Sequence, residues 1–234
     1  MPVTDLRAYL FDAKPHLLSP SVGAWLTESK RFQVFAEANR DKIRKKLRDT
    51  RDREAMRDLG CELEAAYWLT QDRRLTVEYE KCEGRTTCPD FKVTYTTSYT
   101  FGVEVTRVRT GTGQPPPDGG ETRLIERVAD KLRQMQVGMM NVLWVVMDEA
   151  GAGVDLTLAM AGLRQRAERG DPLVIGRHDL ADTSDFFKYY FRLSGVVLRA
   201  ARDGEPSRLL ALWANPQAKH PLPPPLKTLL QSLT

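Results

Sequence analysis

Six consecutive apolar residues, Val142 to Met147, constrain the fold of this chain more than any other segment. A strand buried on both faces carries such an uninterrupted run, whereas a half-exposed strand alternates apolar and polar residues. Helical periodicity precedes the run at residues 121–137 and follows it at 155–168. Strands that alternate with helices in this way indicate an α/β fold.

Three further strands are predicted before the helix at 121–137. Residues 75–81 alternate in polarity, and Pro89 suits the beginning of a second strand over 88–95. A short polar turn separates that strand from a third over 101–108, which predicts an antiparallel hairpin. A helical pattern from about Arg53 to Thr70 precedes all three strands. The predicted order is therefore helix, three strands, helix, strand.

The flanking regions predict additional elements. We expect residues 1–50 to form a helical N-terminal extension, followed by a second domain over 51–234 whose core spans 53–150. Residues 195–199 and 209–213 are predicted to form a C-terminal β-hairpin, and the prolines between Pro221 and Pro225 to break regular structure.

Composition narrows the class of protein. The 234 residues are 41% hydrophobic and 28% charged, which is typical of a globular soluble protein. No apolar stretch approaches the roughly 18 residues of a membrane helix, and we see no secretory signal. The three cysteines, Cys61, Cys82 and Cys88, form no CxxC pair, so we expect reduced thiols, no structural zinc and a cytoplasmic location.

The predicted helix over 53–70 carries an acid on its apolar face. Glu62 falls inside the core-facing stripe, and Glu64 falls on the opposite side, where we expect solvent. A carboxylate on a core-facing stripe is costly unless something there uses it. The apolar members of the stripe are Leu59, Leu63, Ala66 and Leu69.

Two acids project from the middle of the predicted hairpin. Alternation puts Asp90 and Lys92 on one face of the second strand, and Glu104 and Thr106 on one face of the third. We expect Lys92 to oppose Glu104 and Asp90 to oppose Thr106. Neighbouring carboxylates repel in a sheet, and a divalent cation such as Mg²⁺ converts that repulsion into a binding site. The alternative is a pair of structural acids on an exposed face.

Pro89-Asp90, the segment Glu104-Val105-Thr106 and the helical Glu62, in this order of elements, resemble the PD-(D/E)XK, or restriction-endonuclease-like, superfamily. The resemblance extends from about Glu62 to Asp148. It implies an αβββαβ core with a mixed central sheet. It also implies that Asp90 and Glu104 ligate Mg²⁺ or Mn²⁺, with Glu62 as an auxiliary ligand.

One position departs from the resembled motif, because Thr106 stands where that family usually has lysine. The family lysine positions the attacking water, and threonine supplies no positive charge. Lys92, on the face of Asp90, is one substitute. The alternatives are cations of the following helix, namely Arg123, Arg127 and Lys131.

Cations elsewhere predict a polyanionic partner. Lys42, Lys45 and Lys46 lie in a basic stretch, and Arg107 and Arg109 follow Glu104 closely. Each set is interpreted either as contacts to nucleic-acid phosphates or as an ordinary solvated surface. We expect nucleic acid as the partner, with DNA favoured, no membrane, and a homodimer left open.

These observations favour a metal-dependent phosphodiester hydrolase that acts on nucleic acid, with Asp90, Glu104, Lys92 and Thr106 at the catalytic centre. The alternative is a catalytically inactive module of the same fold that binds nucleic acid or a protein. A third interpretation is an unrelated α/β protein with structural acids. Opposite faces for Asp90 and Glu104 would favour the third.

Overall fold

A computed structural model describes residues 1–80, 88–96, 98–109, 118, 120–149, 153–176, 179–202 and 205–233. Its α-helices are α1 (Val3–Leu10), α2 (Ser19–Glu28), α3 (Lys30–Ala38), α4 (Arg40–Asp49), α5 (Arg53–Gln71), α6 (Glu121–Lys131), α7 (Leu156–Glu168), α8 (Thr183–Tyr190) and α9 (Pro224–Ser232). A short 3₁₀ helix, Leu132–Gln134, continues α6. The strands are β1 (Leu75–Tyr79), β2 (Phe91–Tyr95), β3 (Tyr99–Val108), β4 (Met140–Asp148), β5 (Leu193–Arg202) and β6 (Glu205–Ala214).

The six strands form one mixed open sheet in the order β1-β2-β3-β4-β5-β6. The pairs β1–β2, β2–β3 and β5–β6 are antiparallel. The pairs β3–β4 and β4–β5 are parallel, and helices connect them. The predicted α/β class, the mixed sheet and the C-terminal hairpin are therefore confirmed. The segment from α5 to β4 follows the predicted order of elements.

The sheet is covered on both faces. Trp144 and Val146 of β4 belong to a core shared with α1–α5 and α9, whereas Val145 and Met147 pack with α6, α7 and α8. All four side chains are at most 1% exposed. The apolar run therefore forms a strand buried on both faces, as predicted.

The N-terminal helices share the first of these cores. The ring of Phe35 in α3 lies 5.9 Å from that of Tyr79 and 6.3 Å from that of Phe91. The Ser29 side chain accepts a hydrogen bond from the backbone N–H of Phe32 and caps α3. The predicted helical content of residues 1–50 is thus present, and it packs on α5 and the sheet.

The predicted register of the β2–β3 hairpin is wrong by two residues. Tyr95 pairs with Tyr99 because the turn is tighter than expected, with Thr96 at φ 53° and the Ser98 N–H bonded to the Tyr95 carbonyl. Lys92 consequently opposes Gly102 instead of Glu104. An even shift preserves the faces, so the polar residues remain together.

The proline-rich C-terminal segment forms a helix that the sequence did not predict. Pro224 occupies the first turn of α9, where a missing N–H costs nothing. Leu226, Leu229 and Leu230 are at most 1% exposed and join the core beside α5. Prolines here begin a helix instead of breaking regular structure.

The expectation of three reduced cysteines is also wrong, since Cys88 is disulfide-bonded. Cys61 is a free thiol buried on α5. None of the helices in the described ranges combines the length and apolar character that a membrane span needs.

Candidate active site at the start of β2

Asp90 and Glu104 meet where β2 begins beside the middle of β3. Phe91 pairs with Val103, so one further step along the ladder brings Asp90 level with Glu104. The backbone N–H of Val105 donates to Asp90 Oδ2 at 2.7 Å. The backbone N–H of Asp90 in turn interacts with the Glu104 carboxylate. The predicted partner of Asp90 was Thr106, and the two-residue shift puts Glu104 there instead.

Lys131, the last residue of α6, supplies a cation to this pair. Its Nζ lies 2.9 Å from Glu104 Oε1 and 2.9 Å from Gln134 Oε1. The Lys131 and Glu104 side chains are 19% and 12% exposed, so their ion pair is screened less than a surface pair. Of the three helix cations considered, Lys131 makes this contact, whereas Arg127 pairs with Asp130 at 3.5 Å.

Burial and charge perturb both acids. Burial, followed by the charges of Glu104 and Glu62, raises the pKa of Asp90 to about 7. Burial also raises the pKa of Glu104, and the Lys131 ammonium opposes that rise. Of the two acids, Asp90 is therefore the one whose negative charge is compensated less by other groups of the protein.

Glu62 lies on α5 beside a second lysine. Lys46 Nζ is 2.6 Å from Glu62 Oε1 and also pairs with Glu80. The Glu62 side chain is 13% exposed, and its charge raises the pKa of Asp90. We call Glu62, Asp90 and Glu104 the carboxylate cluster, with Lys46 and Lys131 as its two flanking cations.

The fit of a metal ion rests on Asp90 and Glu104. In the described ranges, no group of three or more His, Cys, Asp or Glu is arranged to hold a metal ion. Mg²⁺ needs only one or two carboxylates, because it retains several waters. Two adjacent, largely buried carboxylates, of which Glu104 raises the pKa of Asp90, fit such an ion, whereas Glu62 lies with Lys46.

The remaining predicted catalytic residues lie around the cluster. Lys92 shares the face of Asp90 but opposes Gly102 on β3 and Glu78 on β1. Thr106 is 8% exposed and borders a pocket of about 170 Å³. The pocket is also lined by Asp58, Val105, Arg107, Arg109, Arg127 and Lys131.

The predicted phosphate-binding residues have different environments. The Arg107 side chain is only 4% exposed, with Asp58 at 2.9 Å, Asp148 at 3.8 Å and a close contact to Glu54. Arg109 donates to Asp58 at 2.8 Å and is 48% exposed. Arg107 therefore joins α5 to the sheet, and its guanidinium is less accessible to a phosphate than that of Arg109.

Helix α4 presents the other three predicted contacts. Lys42 donates to the Tyr79 carbonyl at 2.8 Å, and Lys46 is held by Glu62 and Glu80. Lys45 is exposed. Lys45 is thus the member of this set whose surroundings leave it most accessible to a ligand.

A second charged site was not predicted. Glu64, which we expected to face solvent, is buried and 7% exposed. It accepts a hydrogen bond from the Ser207 N–H on β6 and lies near Arg199 of β5. Arg199 is fully buried, donates to Ser207 Oγ at 3.0 Å and to the Leu233 carbonyl at 2.6 Å. Its guanidinium lies 4.5 Å from the Trp68 ring centroid.

A signal for this network exists in the sequence. Arg199 interrupts an otherwise apolar stretch, Val196 to Ala201, and such an interruption indicates a buried partner. Glu64 is 135 positions earlier in the chain, so no local pattern identifies it as that partner.

Comparisons of this chain with models of protein families, with curated proteins and with solved structures found no match.

Proposed function

We propose that this protein is a metal-dependent phosphodiester hydrolase that cuts nucleic acid, with DNA favoured. Asp90 and Glu104 form its proposed active site. The observation that carries the proposal is the position of the Lys131 ammonium, 2.9 Å from Glu104 and beside Asp90, whose pKa is raised. Two adjacent acids and a cation are the groups that metal-assisted phosphate hydrolysis needs. The restriction-endonuclease-like assignment of the α5-to-β4 core belongs to the same proposal.

In the proposed mechanism, Asp90 and Glu104 hold Mg²⁺ or Mn²⁺. When bound, such an ion lowers the pKa of water and stabilises charge on the phosphate. Lys131 replaces the lysine that the resembled motif usually has at the position of Thr106. Its ammonium orients the attacking water and opposes the negative charge of the transition state. The Val105 N–H keeps Asp90 in place by its hydrogen bond to Oδ2.

The raised pKa of Asp90 supports metal binding at this position. A carboxyl with a pKa of about 7 is only partly ionised at neutral pH, since burial and neighbouring acids oppose its charge. A divalent cation relieves both costs. The negative charge of the site thus favours binding of a further cation in addition to the ammonium groups of Lys46 and Lys131.

A binding module without catalysis is the second candidate function. It is favoured by the ion pairs that Lys46 and Lys131 make with Glu62 and Glu104, because they already neutralise two of the three acids. In that case nucleic-acid affinity would fall with salt but would not depend on Mg²⁺.

The test is cleavage of single- and double-stranded DNA and RNA by purified protein in Mg²⁺, Mn²⁺ or EDTA. We expect metal-dependent cutting that Asp90→Ala abolishes while the circular dichroism spectrum is unchanged. Salt-sensitive binding with no cutting in either metal would favour the binding module. Undiminished cutting by folded Asp90→Ala would refute the assigned site.

A further inference from the structure

A cluster of cations surrounds one tyrosine on the surface formed by α8 and the 3₁₀ helix. The Tyr189 ring centroid lies 5.7 Å from the Arg133 guanidinium, 4.8 Å from Lys188 Nζ and 4.7 Å from the Arg192 guanidinium. We call Arg133, Lys188, Tyr189 and Arg192 the Tyr189 cluster. Three cations within 6 Å of one ring make cation–π contacts, which hold the array in place.

Carboxylates compensate this charge incompletely. Asp179 lies 3.7 Å from Arg133 and is 87% exposed, and Asp185 lies 3.5 Å from Lys188. Exposed pairs at such distances contribute little. Within the described ranges, no carboxylate forms an ion pair with Arg192, which donates instead to the Met135 carbonyl at 3.4 Å.

A second tyrosine provides an internal comparison. The Tyr9 ring also has two arginines over it, Arg40 at 5.5 Å and Arg44 at 4.5 Å. There Arg44 pairs closely with Asp12, and the Tyr9 hydroxyl donates to Asp41 at 2.5 Å. Two acids thus balance two cations at Tyr9, whereas three cations face two loosely held acids at Tyr189.

The Tyr189 cluster lies next to the candidate active site. Lys131 and Arg133 are two residues apart in one continuous helical segment, so they project to opposite sides of it. Lys131 contacts Glu104, and Arg133 contacts the Tyr189 ring. That segment, about 10 Å across with its side chains, separates the two sites, so a strand that occupies both continues beyond the phosphodiester that is cut.

We propose that the Tyr189 cluster binds backbone phosphates of the nucleic-acid strand beyond the phosphodiester that is cut. This inference rests on the proposed function, because it identifies where the same substrate continues beyond Asp90 and Glu104. The cations contact phosphate oxygens, and the tyrosine ring keeps three like charges together at one surface. Such contacts position the strand without selecting its sequence.

The test measures binding separately from cutting. Lys188→Ala/Arg192→Ala is compared with Arg164→Ala/Arg208→Ala, which removes two exposed arginines held by single acids. Both pairs are placed in a Glu104→Gln background, and binding of a fluorescein-labelled DNA strand is followed by anisotropy over a range of KCl concentrations. Lys188→Glu, an exposed single change, serves as a second variant if the double variant does not fold.

We expect the Tyr189-cluster variant to lose about tenfold in affinity and to show a salt slope smaller by about 1.4, since each phosphate contact on a single strand contributes about 0.7. The control pair should keep the parent slope. As the strand is lengthened one nucleotide at a time, binding of the parent should strengthen at the length that reaches the cluster. The cluster variant should lack that gain, which a purely structural role would not produce.

Equal affinity and equal salt slope in the cluster variant and the control would overturn the inference. If the wild-type protein cuts DNA, that result would leave the proposed function intact. A protein that never cuts but loses affinity only in the cluster variant would support the cluster and refute the catalytic assignment.

Discussion

Two of the carboxylates on helix α5, Glu62 and Glu64, lie two residues apart and serve different purposes. Glu64 is buried in a network in which the Ser207 N–H and the guanidinium of Arg199 face it. Glu62 belongs to the carboxylate cluster, where Lys46 and Lys131 pair with two acids and the pKa of Asp90 is still raised to about 7. In the first arrangement burial raises the pKa of Glu64, and the Ser207 hydrogen bond and the Arg199 charge oppose that rise, as expected for a structural site. The second has a surplus of negative charge, which is typical of a functional site.

The comparison predicts the largest loss of stability at the site of Glu64 and Arg199. Arg199→Met should lower the free energy of unfolding by about 3–5 kcal/mol, because it removes the buried cation near Glu64 and the donors to Ser207 and the Leu233 carbonyl. Chemical denaturation measures this change. The activity per folded molecule should equal that of wild type, and a loss of cleavage without a loss of stability would contradict the structural role of Arg199.

Lys131→Met should slow cleavage about 100-fold, equivalent to about 2.7 kcal/mol of transition-state stabilisation. The physical reason is the loss of the ammonium that lies 2.9 Å from Glu104 Oε1 at the acidic pair. Single-turnover rates with saturating Mg²⁺ provide the measurement. Arg127→Met, four residues earlier on α6, is the control, and a similar loss there would show that Lys131 has no special part.

Asp90→Asn should stabilise the metal-free protein. The pKa of Asp90 is raised from 3.8 to about 7. Ionisation of Asp90 therefore does not destabilise the folded state below about pH 4, and the destabilisation grows as the pH rises from about 4 to 7. Three pH units at about 1.4 kcal/mol each correspond to about 4 kcal/mol. Solvent screening of the partly exposed carboxyl reduces this, so we expect a gain of about 2 kcal/mol at pH 8 and almost none at pH 4.

Thermal unfolding in EDTA at both pH values measures this gain. Millimolar Mg²⁺ should then raise the melting temperature of the wild type more than that of Asp90→Asn. An equal gain at pH 4 and pH 8 would mean that the ionisation of Asp90 is not the source of the penalty.

The smallest expected change in cleavage rate concerns Thr106, which stands where the resembled motif usually has lysine. Thr106 borders the same pocket as Lys131, so a lysine at position 106 can extend toward the position that Lys131 occupies. Thr106→Lys in the Lys131→Met background should recover about tenfold in rate, or about 1.4 kcal/mol. Thr106→Met in that background is the control, and equal rates for the two double variants would argue against a shared role.

Much of the architecture followed from the sequence, for local reasons. The unbroken apolar run of β4 and the alternating β1 are period signals that neighbouring residues carry. The hairpin register was wrong because it depends on the backbone of Thr96, and α9 was missed because prolines at a helix start resemble helix breakers. These errors concern turns and termini, where one residue decides the geometry.

The acidic residues of the candidate site were predictable from the sequence, but the cation that pairs with each of them was not. The positions of Asp90 and Glu104 on one hairpin face follow from strand alternation. Which helix cation reaches Glu104 depends on where α6 ends against β3, which no periodicity shows. The interior position of Glu64 depends on Arg199, a contact between distant parts of the chain.

The most direct test of the account is the Mg²⁺-dependent cleavage rate of Glu104→Gln beside that of Glu64→Gln. Each change removes one carboxylate charge and keeps the side-chain shape. We predict that Glu104→Gln folds normally and does not cut, and that Glu64→Gln is less stable but cuts at the wild-type rate per folded molecule. Cleavage at the wild-type rate by folded Glu104→Gln would contradict the account.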